Sequence, residues 1–397
     1  MSPPVIRYDG KKDLARSLPR IEEEAEMRGL CLLSLSLPLC LIGCAAKARP
    51  EPVWVGQLVP LDGPTRLVGQ HALQGAELAV ADTGDDHRVK GRPCAMLHVD
   101  GRGDPTAETV RLLTVNKAVA LMTDFDAART ERLLRASRPY GVPVMVPGEL
   151  PGSADSSAVL SLGVPPAVRG RLLARYASTD LRLRRAAVLT DSRRPVATAL
   201  ATAFLNDWPR DKGGTIEEWT FTTAAERDER TARLIQAAPA VVLLACSVSD
   251  FRTLRPKLAE ALPKVPLLYG GEDAGAAPLQ AELETQPDIY LATVFSAEHL
   301  TDAGRAFARR YEERFHEAPD LYAAQSYDAA RLLFDALQRA GDPNREALAK
   351  QLSHLEQFES VTGPVRWKER QPQRRVFLIA LKSNQAKVVQ TIEPEEN

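Results

Sequence analysis

The sequence predicts an α/β protein built as two doubly wound lobes, and three observations predict it. Short apolar runs of strand length alternate with amphipathic stretches of helical period, which is the pattern of βαβ units around a parallel sheet. The alternation runs through the chain twice. The length also suffices: 397 residues make two or three domains at about 150 residues each.

The first series of strands reads "VWVGQLVP" from Val53, "CAMLHVD" from Cys94, "KAVALM" from Lys117 and "GVPVMV" from Gly141. "ALQGAELAVADT" and "DPTAETVRLLTV" supply helices between them. The second series reads "AAVLT" at 186, "TIEEWTF" at 215, "AVVLLA" at 240, "VPLLYG" at 265 and "DIYLAT" at 288. Each series forms one doubly wound sheet. A strongly helical stretch follows. Phe307, Tyr311 and Phe315 recur at i+4, and Ala330, Leu333, Phe334 and Leu337 share a face. Gly341-Asp342-Pro343 ends that helix. The tail predicts a hairpin of "GPVRW" and "RVFLIALK" around the polar loop "KERQPQR", and "EPEEN" as a solvated end.

Composition and motifs exclude several functions. With 51 basic and 52 acidic residues the net charge is −1, and a nucleic-acid binder ordinarily carries a basic excess. Hydrophobic residues at 44% and charged residues at 26% are globular values, not those of a disordered chain. Aromatics at 6% leave few stacking platforms. No G-x-G-x-x-G follows a strand, and neither a phosphate-binding G-x-x-x-x-G-K-[ST] nor a G-x-S-x-G elbow occurs. His71, His87, His98, His299, His316 and His354 are scattered without metal-ligand spacing. No cofactor, metal or catalytic residue is implied. Arg102-Gly103-Asp104 reads as a turn, and "LRLRR" at 181–185 as the solvated end of a helix.

The N-terminus reads as an address. Leu30 to Gly43 is one apolar run, too short for a spanning helix of about 20 residues and suited to the core of a secretory signal. It ends in Leu41-Ile42-Gly43-Cys44, which resembles the lipobox of bacterial lipoproteins. Cleavage before Cys44 and its lipidation are expected, with residues 27–44 as the signal and 45–52 as a linker. "IEEEAE" sits where a signal carries positive charge, whereas Met27-Arg28 makes a suitable start. Residues 1–26 are therefore expected to be a start-site extension. Cys94 and Cys246 remain after cleavage and are expected to be unpaired.

Four segments carry a family resemblance. The first spans 53–80, with Pro60-Leu61, Gly63-Pro64, Gly69-Gln70 and Gly75-Ala76-Glu77-Leu78-Ala79. The second has Asp100, Asp104 and Pro105. The third has Tyr311, Phe315, Pro319, Tyr322 and Tyr327-Asp328-Ala329, and the fourth is "VTGPVRW" from Val361. In this order they resemble the type I periplasmic solute-binding proteins of the leucine/isoleucine/valine-binding family, from about Val53 to Lys382. The resemblance implies two Rossmann-like lobes joined by three crossovers, with solute held between them. The lobes would be 53–163 with 298–357, and 168–290 with 361–391.

Amino-acid binders of that family hold the ligand carboxylate with hydroxyl and amide donors from two loops. Here those positions align with Asp126 and Ala127, and with Gly148-Glu149-Leu150, so the hydroxyls are gone. A carboxylate at Asp126 would repel a ligand carboxylate. Two aromatic positions become Val68 and Pro195. The acid facing the ligand ammonium aligns with Glu272, beside Asp273. Asp126 and Glu272 from opposite lobes would favour a cation. A helix N-cap remains the other reading of Asp126, and a solvated turn acid that of Glu272.

The resemblance implies a lipid-anchored solute-binding component of an ABC importer, in the periplasm, that delivers a small amine-containing or amino-acid-like solute to an ABC permease in the inner membrane. The expected site is Asp126, Ala127, Gly148, Leu150, Pro195 and Glu272. The alternative is an envelope lipoprotein on the same fold acting by protein contact, such as a regulator of cell-wall synthases. An enzyme would need a nucleophile and base in the cleft, and no His falls near the predicted loops.

Overall fold

The computed structural model describes residues 6–8, 50–83, 88–101, 103–123, 127–150, 158–210, 213–270, 288–382 and 385–394. The first sheet contains β1 (Ile6–Tyr8), β2 (Val53–Val59), β3 (Arg88–Val89), β4 (Arg92–Asp100), β5 (Ala120–Thr123), β6 (Val144–Val146) and β7 (Val159–Ser161). Its order is β1-β4-β2-β5-β6-β7, with β3 on β4. The strands of the main path run parallel, and the chain reverses direction across the sheet at β2. The three-residue β1, from the leading segment, pairs on the outer edge of β4.

The second sheet contains β8 (Arg185–Asp191), β9 (Thr215–Phe221), β10 (Val241–Ala245), β11 (Leu267–Tyr269) and β12 (Ile289–Thr293). A small sheet follows, made of β13 (Gln357–Ser360), β14 (Gly363–Lys368) and β15 (Gln371–Gln373). The chain then returns as β16 (Val376–Lys382) and β17 (Gln385–Ile392), giving the order β17-β16-β12-β11-β10-β8-β9. Here the reversal falls at β8. The fold is thus the expected α/β arrangement of two doubly wound sheets.

Alternation of side chains builds the layers. In β10, Val241, Leu243 and Ala245 enter one core, and Val242 and Leu244 enter another. Both faces are apolar because helices cover both, as parallel sheets require. In the first sheet α1 (Arg66–Thr83) lies on one face, and α2 (Pro105–Thr114) and α3 (Ala127–Ser137) on the other. In the second, α4 (Pro166–Arg175) and α5 (Pro195–Asp207) lie on one face, and α6 (Ala224–Ala237) and α7 (Val248–Ala261) on the other. Then come α8 (Asp302–Phe315), α9 (Leu321–Ala340) and α10 (Arg345–Ser353). Their apolar faces join α1, α4 and α5 in one core that runs through both sheets.

Close helix approach explains part of the sequence pattern. A Cβ at Gly75 would stand 2.1 Å from the Ala323 carbonyl, so glycine lets α1 and α9 touch. His71 Nδ1 lies 2.8 Å from Asp320 Oδ2 across that contact, and the other Asp320 oxygen caps α9 by accepting from Ala323 N. Tyr327 OH donates to Asp82 and Tyr311 OH to Gln74.

Three crossovers connect the sheets, and they meet in one buried junction. The first is 162–165, the second 294–301, and the third runs through the small sheet to β16. Arg374 donates to Leu162 O on the first, and to the Ser360 and Thr362 hydroxyls on the third. Thr301 Oγ1 donates to Val361 O and so ties the second to the third. Both carboxyl oxygens of Asp328, on α9, accept from Val361 N at 3.1 Å. Burial pushes the Asp328 carboxyl up and the Arg374 guanidinium down from their ordinary ranges, while Arg331 and then Arg374 partly offset the shift of Asp328, and Asp328 that of Arg374. Trp367 Nε1 and Arg370 Nη2 donate to Ser161 O and Val159 O beside the same junction.

Two expectations need correction. The tail is not a hairpin of "GPVRW" with "RVFLIALK": β14 pairs with β13 and β15, and β16 pairs antiparallel with β12 and β17. Glu369 and Arg370 both take positive φ, so the polar loop itself holds a tight hairpin turn. From Val376 to Leu381 β16 is buried at every residue, which suits an interior strand. The "LRLRR" run is not a helix end either. The helix finishes in a π-helical turn at Tyr176–Asp180, and the run links it to β8. Asp104 caps α2 by accepting from Thr106 N. The expectation that Cys94 and Cys246 form no disulfide holds among the described residues, and both are buried. Burial holds the Cys94 thiol up at about 12.

The Asp320 hydrogen bond and the charges of Asp320 and Glu317 raise the His71 pKa above 6.5, against burial. Protonated His71 therefore adds stability fully below pH 6.5, and that stability is lost as pH rises through the raised value. Urea unfolding across pH 5.5–8.5 should show His71→Gln flattening this decline. An unchanged pH slope in the variant would contradict the assignment.

Candidate functional site

In a doubly wound sheet, loops leaving the strands at the order reversal diverge and open a crevice at the carboxyl ends. The first sheet opens between the loops after β2 and β5, with β6 beside them. The second opens between the loops after β8 and β10. Of the six expected solute-site residues, four are described, and they lie on such loops or at the helix starts that follow them: Ala127 after β5, Gly148 and Leu150 after β6, and Pro195 after β8.

The described residues fix part of this set. Asp126, Glu272 and Asp273 lie outside the described residues, as does Cys44 with the whole signal segment. Ala127 is the first residue of α3. Pro195 is the first residue of α5 and is exposed, a position where proline lacks nothing the helix needs. Val68 is half-buried on α1. Leu150 packs against the core beneath α2 and α3, so it anchors its loop.

Gly148 and Glu149 sit against the first crossover. Gly163 N donates to Gly148 O at 3.0 Å, and a Cβ on Gly163 would stand 2.4 Å from the Gly148 carbonyl carbon. Glu149 reaches across to α4, where Arg169 Nη2 donates to its carboxylate at 2.6 Å. Arg169 is 3% exposed. The pair closes one side of a cavity of about 40 Å³, bounded also by Thr293, Tyr322 and Gln325. That volume holds a water or two and no larger solute. The ion pair thus bridges the loop of the first sheet to a helix of the second.

A second matched pair stands at the reversal point of the second sheet. Asp191 ends β8 with 2% exposure. It accepts Arg193 Nε and Nη2 at 2.8 Å each, and the Arg193 backbone N–H at 3.1 Å. This bidentate bond raises the Arg193 pKa and shapes the turn that presents Pro195. After β10, Ser247 caps α7 by accepting from Asp250 N, and Asp250 pairs with Arg227 at 2.8 Å. The carboxylates Glu149, Asp191 and Asp250 are each matched by an arginine.

The sequence reading missed both ion pairs. Asp191 and Arg193 are two residues apart in "TDSRRP", a legible turn signal. Glu149 and Arg169 are separated by a strand and a crossover, so no local pattern announces them.

The comparisons with known proteins agree with this architecture. The periplasmic binding protein family matches residues 52–386. The chain belongs to that family. A leucine-binding protein, LivK, from Thermotoga maritima superposes with a TM-score of 0.75 at 19% identity, covering 86% of this chain and 99% of that one. A solute-binding protein of an ABC transporter from R. palustris, in complex with benzoate, superposes with a TM-score of 0.72 at 20% identity, covering 87% and 97%. A Leu/Ile/Val-binding protein homolog from Brucella suis is 29% identical over 114 residues, a stretch that spans 28% of each chain. Family members are extracytoplasmic solute-binding proteins of ABC transport, and no described helix is long and apolar enough to cross a membrane.

Breaking a buried ion pair from one side leaves an uncompensated charge, which costs about 3–5 kcal/mol. Glu149→Ala should approach that loss in urea unfolding. Glu149→Ala combined with Arg169→Met should recover much of it. A loss below about 0.5 kcal/mol, the level of an ordinary surface substitution, would show that the pair does not brace the loop.

Proposed function

We propose that this protein is the lipid-anchored solute-binding component of an ABC importer, and that it captures a small amine-containing or amino-acid-like solute between its two sheets. Lipid on Cys44 would hold it to a membrane, the outer one in a Gram-negative cell, and a permease of the inner membrane would receive the solute. The observation that carries this reading is the pairing of two doubly wound sheets through three crossovers, with loops at the reversal points of both. Such a pair of lobes closes over a ligand by small changes at the crossovers.

The solute class follows from charge. Gly148-Glu149-Leu150 offers no side-chain hydroxyl, and Glu149 is committed to Arg169. Backbone groups near Gly148, Leu150 and Pro195 would shape the pocket, with Ala127 at the start of α3. Asp126 and Glu272 would face the solute's positive group from opposite sides. The T. maritima relative is a leucine-binding protein and the R. palustris relative holds benzoate, so related folds accept acids of different shape.

A thermal-shift screen with amino acids, amino amides, polyamines, short peptides and benzoate tests this. A ligand at 100 times its Kd adds about 2.7 kcal/mol, a shift of several degrees at roughly 2–4 °C per kcal/mol. Cationic amines should produce it, and Asp126→Ala or Glu272→Ala should abolish it. A shift with leucine or benzoate that survives both substitutions would overturn the solute class. No shift with any compound would favour an envelope protein acting by protein contact.

A further inference from the structure

Away from the solute loops, the far end of the second sheet carries a groove rich in arginine. It lies where α4 and α5 finish, next to the amino ends of β8 and β9, and encloses about 510 Å³. Arg175, Arg182, Arg184, Ser178, Thr179 and Asp207 line it. The surrounding loops and strands place it at the opposite end of the strands from Pro195 and Ser247, so solute capture does not account for it.

The local chain explains why the arginines converge. In "LRLRR" the leucines Leu181 and Leu183 pack against the core, so Arg182 and Arg184 are turned out to solvent. The π-helical turn Tyr176–Asp180 widens the end of α4 and brings the Ser178 and Thr179 positions to the groove wall. π-Helical turns are rare and frequently mark functional sites. Arg171 is exposed one turn before Arg175 on the same face of α4.

Structural duties use part of this charge. Arg175 Nε bonds Asp207 Oδ2 at 3.0 Å, and Arg184 Nη1 donates to Ser178 O at 2.9 Å, closing the helix end. Thr179 holds Asp180 at 2.7 Å. Arg182 is exposed, sits at φ +56° and makes no ion pair or hydrogen bond among the described residues. Among the described residues, three guanidinium groups thus share one groove with one lining carboxylate, in a chain whose net charge is −1.

We propose that this groove is a binding site for a phosphate-type oxyanion, separate from the solute site. Guanidinium forks match tetrahedral oxyanions by paired N–H donors. Arg182 would make the first contact, with Arg175 and Arg184 contributing the donors that Asp207 and Ser178 leave over. The same chemistry is presented by free phosphates and by phospholipid headgroups.

Calorimetric titration of the purified protein with inorganic pyrophosphate at 0.15 M salt tests the free form. Sedimentation with vesicles, phosphatidylglycerol-containing against phosphatidylcholine alone, tests the headgroup form. Binding is expected in at least one arm, and which arm responds identifies the source. Arg182→Glu should weaken it by at least about tenfold, since a hydrogen bond to a charged group is worth that much. Arg182→Gln should have a smaller effect in the same direction. Both variants should keep the wild-type melting temperature, because Arg182 holds no structural contact. Absence of binding in both arms, or binding unchanged by Arg182→Glu, would overturn the proposal.

Discussion

The two-sheet arrangement depends on a polar junction buried where the three crossovers meet. Arg374 donates to the first crossover at Leu162 O and to the third at Ser360 and Thr362. Asp328 receives the Val361 N–H, and Thr301 binds the Val361 carbonyl. Each link is a hydrogen bond to the backbone or a hydroxyl of a crossover, so the three connections keep a fixed spacing. A carboxylate and a guanidinium buried together cost much less than either alone, because each offsets the desolvation of the other. The spacing in turn sets how the two rows of loops face each other.

The loops themselves are braced by charge pairs of the same kind. Glu149 and Arg169 join the β6 loop to α4, and Asp191 and Arg193 shape the turn before α5. Matched pairs of this type hold loop geometry but leave little net charge for a solute. The proposed solute specificity therefore falls on a small number of acids at the carboxyl ends of the strands. The arginine groove has the opposite composition: among the described residues, its guanidinium groups outnumber the carboxylates that line it.

The fold was legible because its signals are local and repeated. Parallel strands covered on both faces appear as continuous apolar runs, and β2, β4, β8, β10 and β12 fall on the runs read from the sequence, while the exposed edge strand β9 falls on "TIEEWTF". Gly75 and Tyr327-Asp328 were legible as family features, and the structure supplies their physical reasons: close approach to α9, a bond to Asp82, and a bond to the third crossover. The tail was misread because strand pairing is not local. "RVFLIALK" has the composition of a strand but nothing in it names β12 as its partner, and the positive φ at Glu369 and Arg370 occurs without glycine. The site was legible only as positions on loops. The bonds that commit Glu149 and Arg374 join residues far apart in the chain, and no spacing rule reveals them.

The most direct measurement is a double-mutant cycle at the junction. Asp328→Asn, Arg374→Met and the double variant would be compared with the wild type by urea unfolding at pH 8. The account predicts that the two sites interact by more than about 1 kcal/mol, since Asp328→Asn removes the carboxylate that offsets the burial of Arg374, and Arg374→Met leaves Asp328 with only the less buried Arg331 at 3.7 Å. Losses that add to within about 0.5 kcal/mol would contradict it, and the crossovers would then be held by independent contacts.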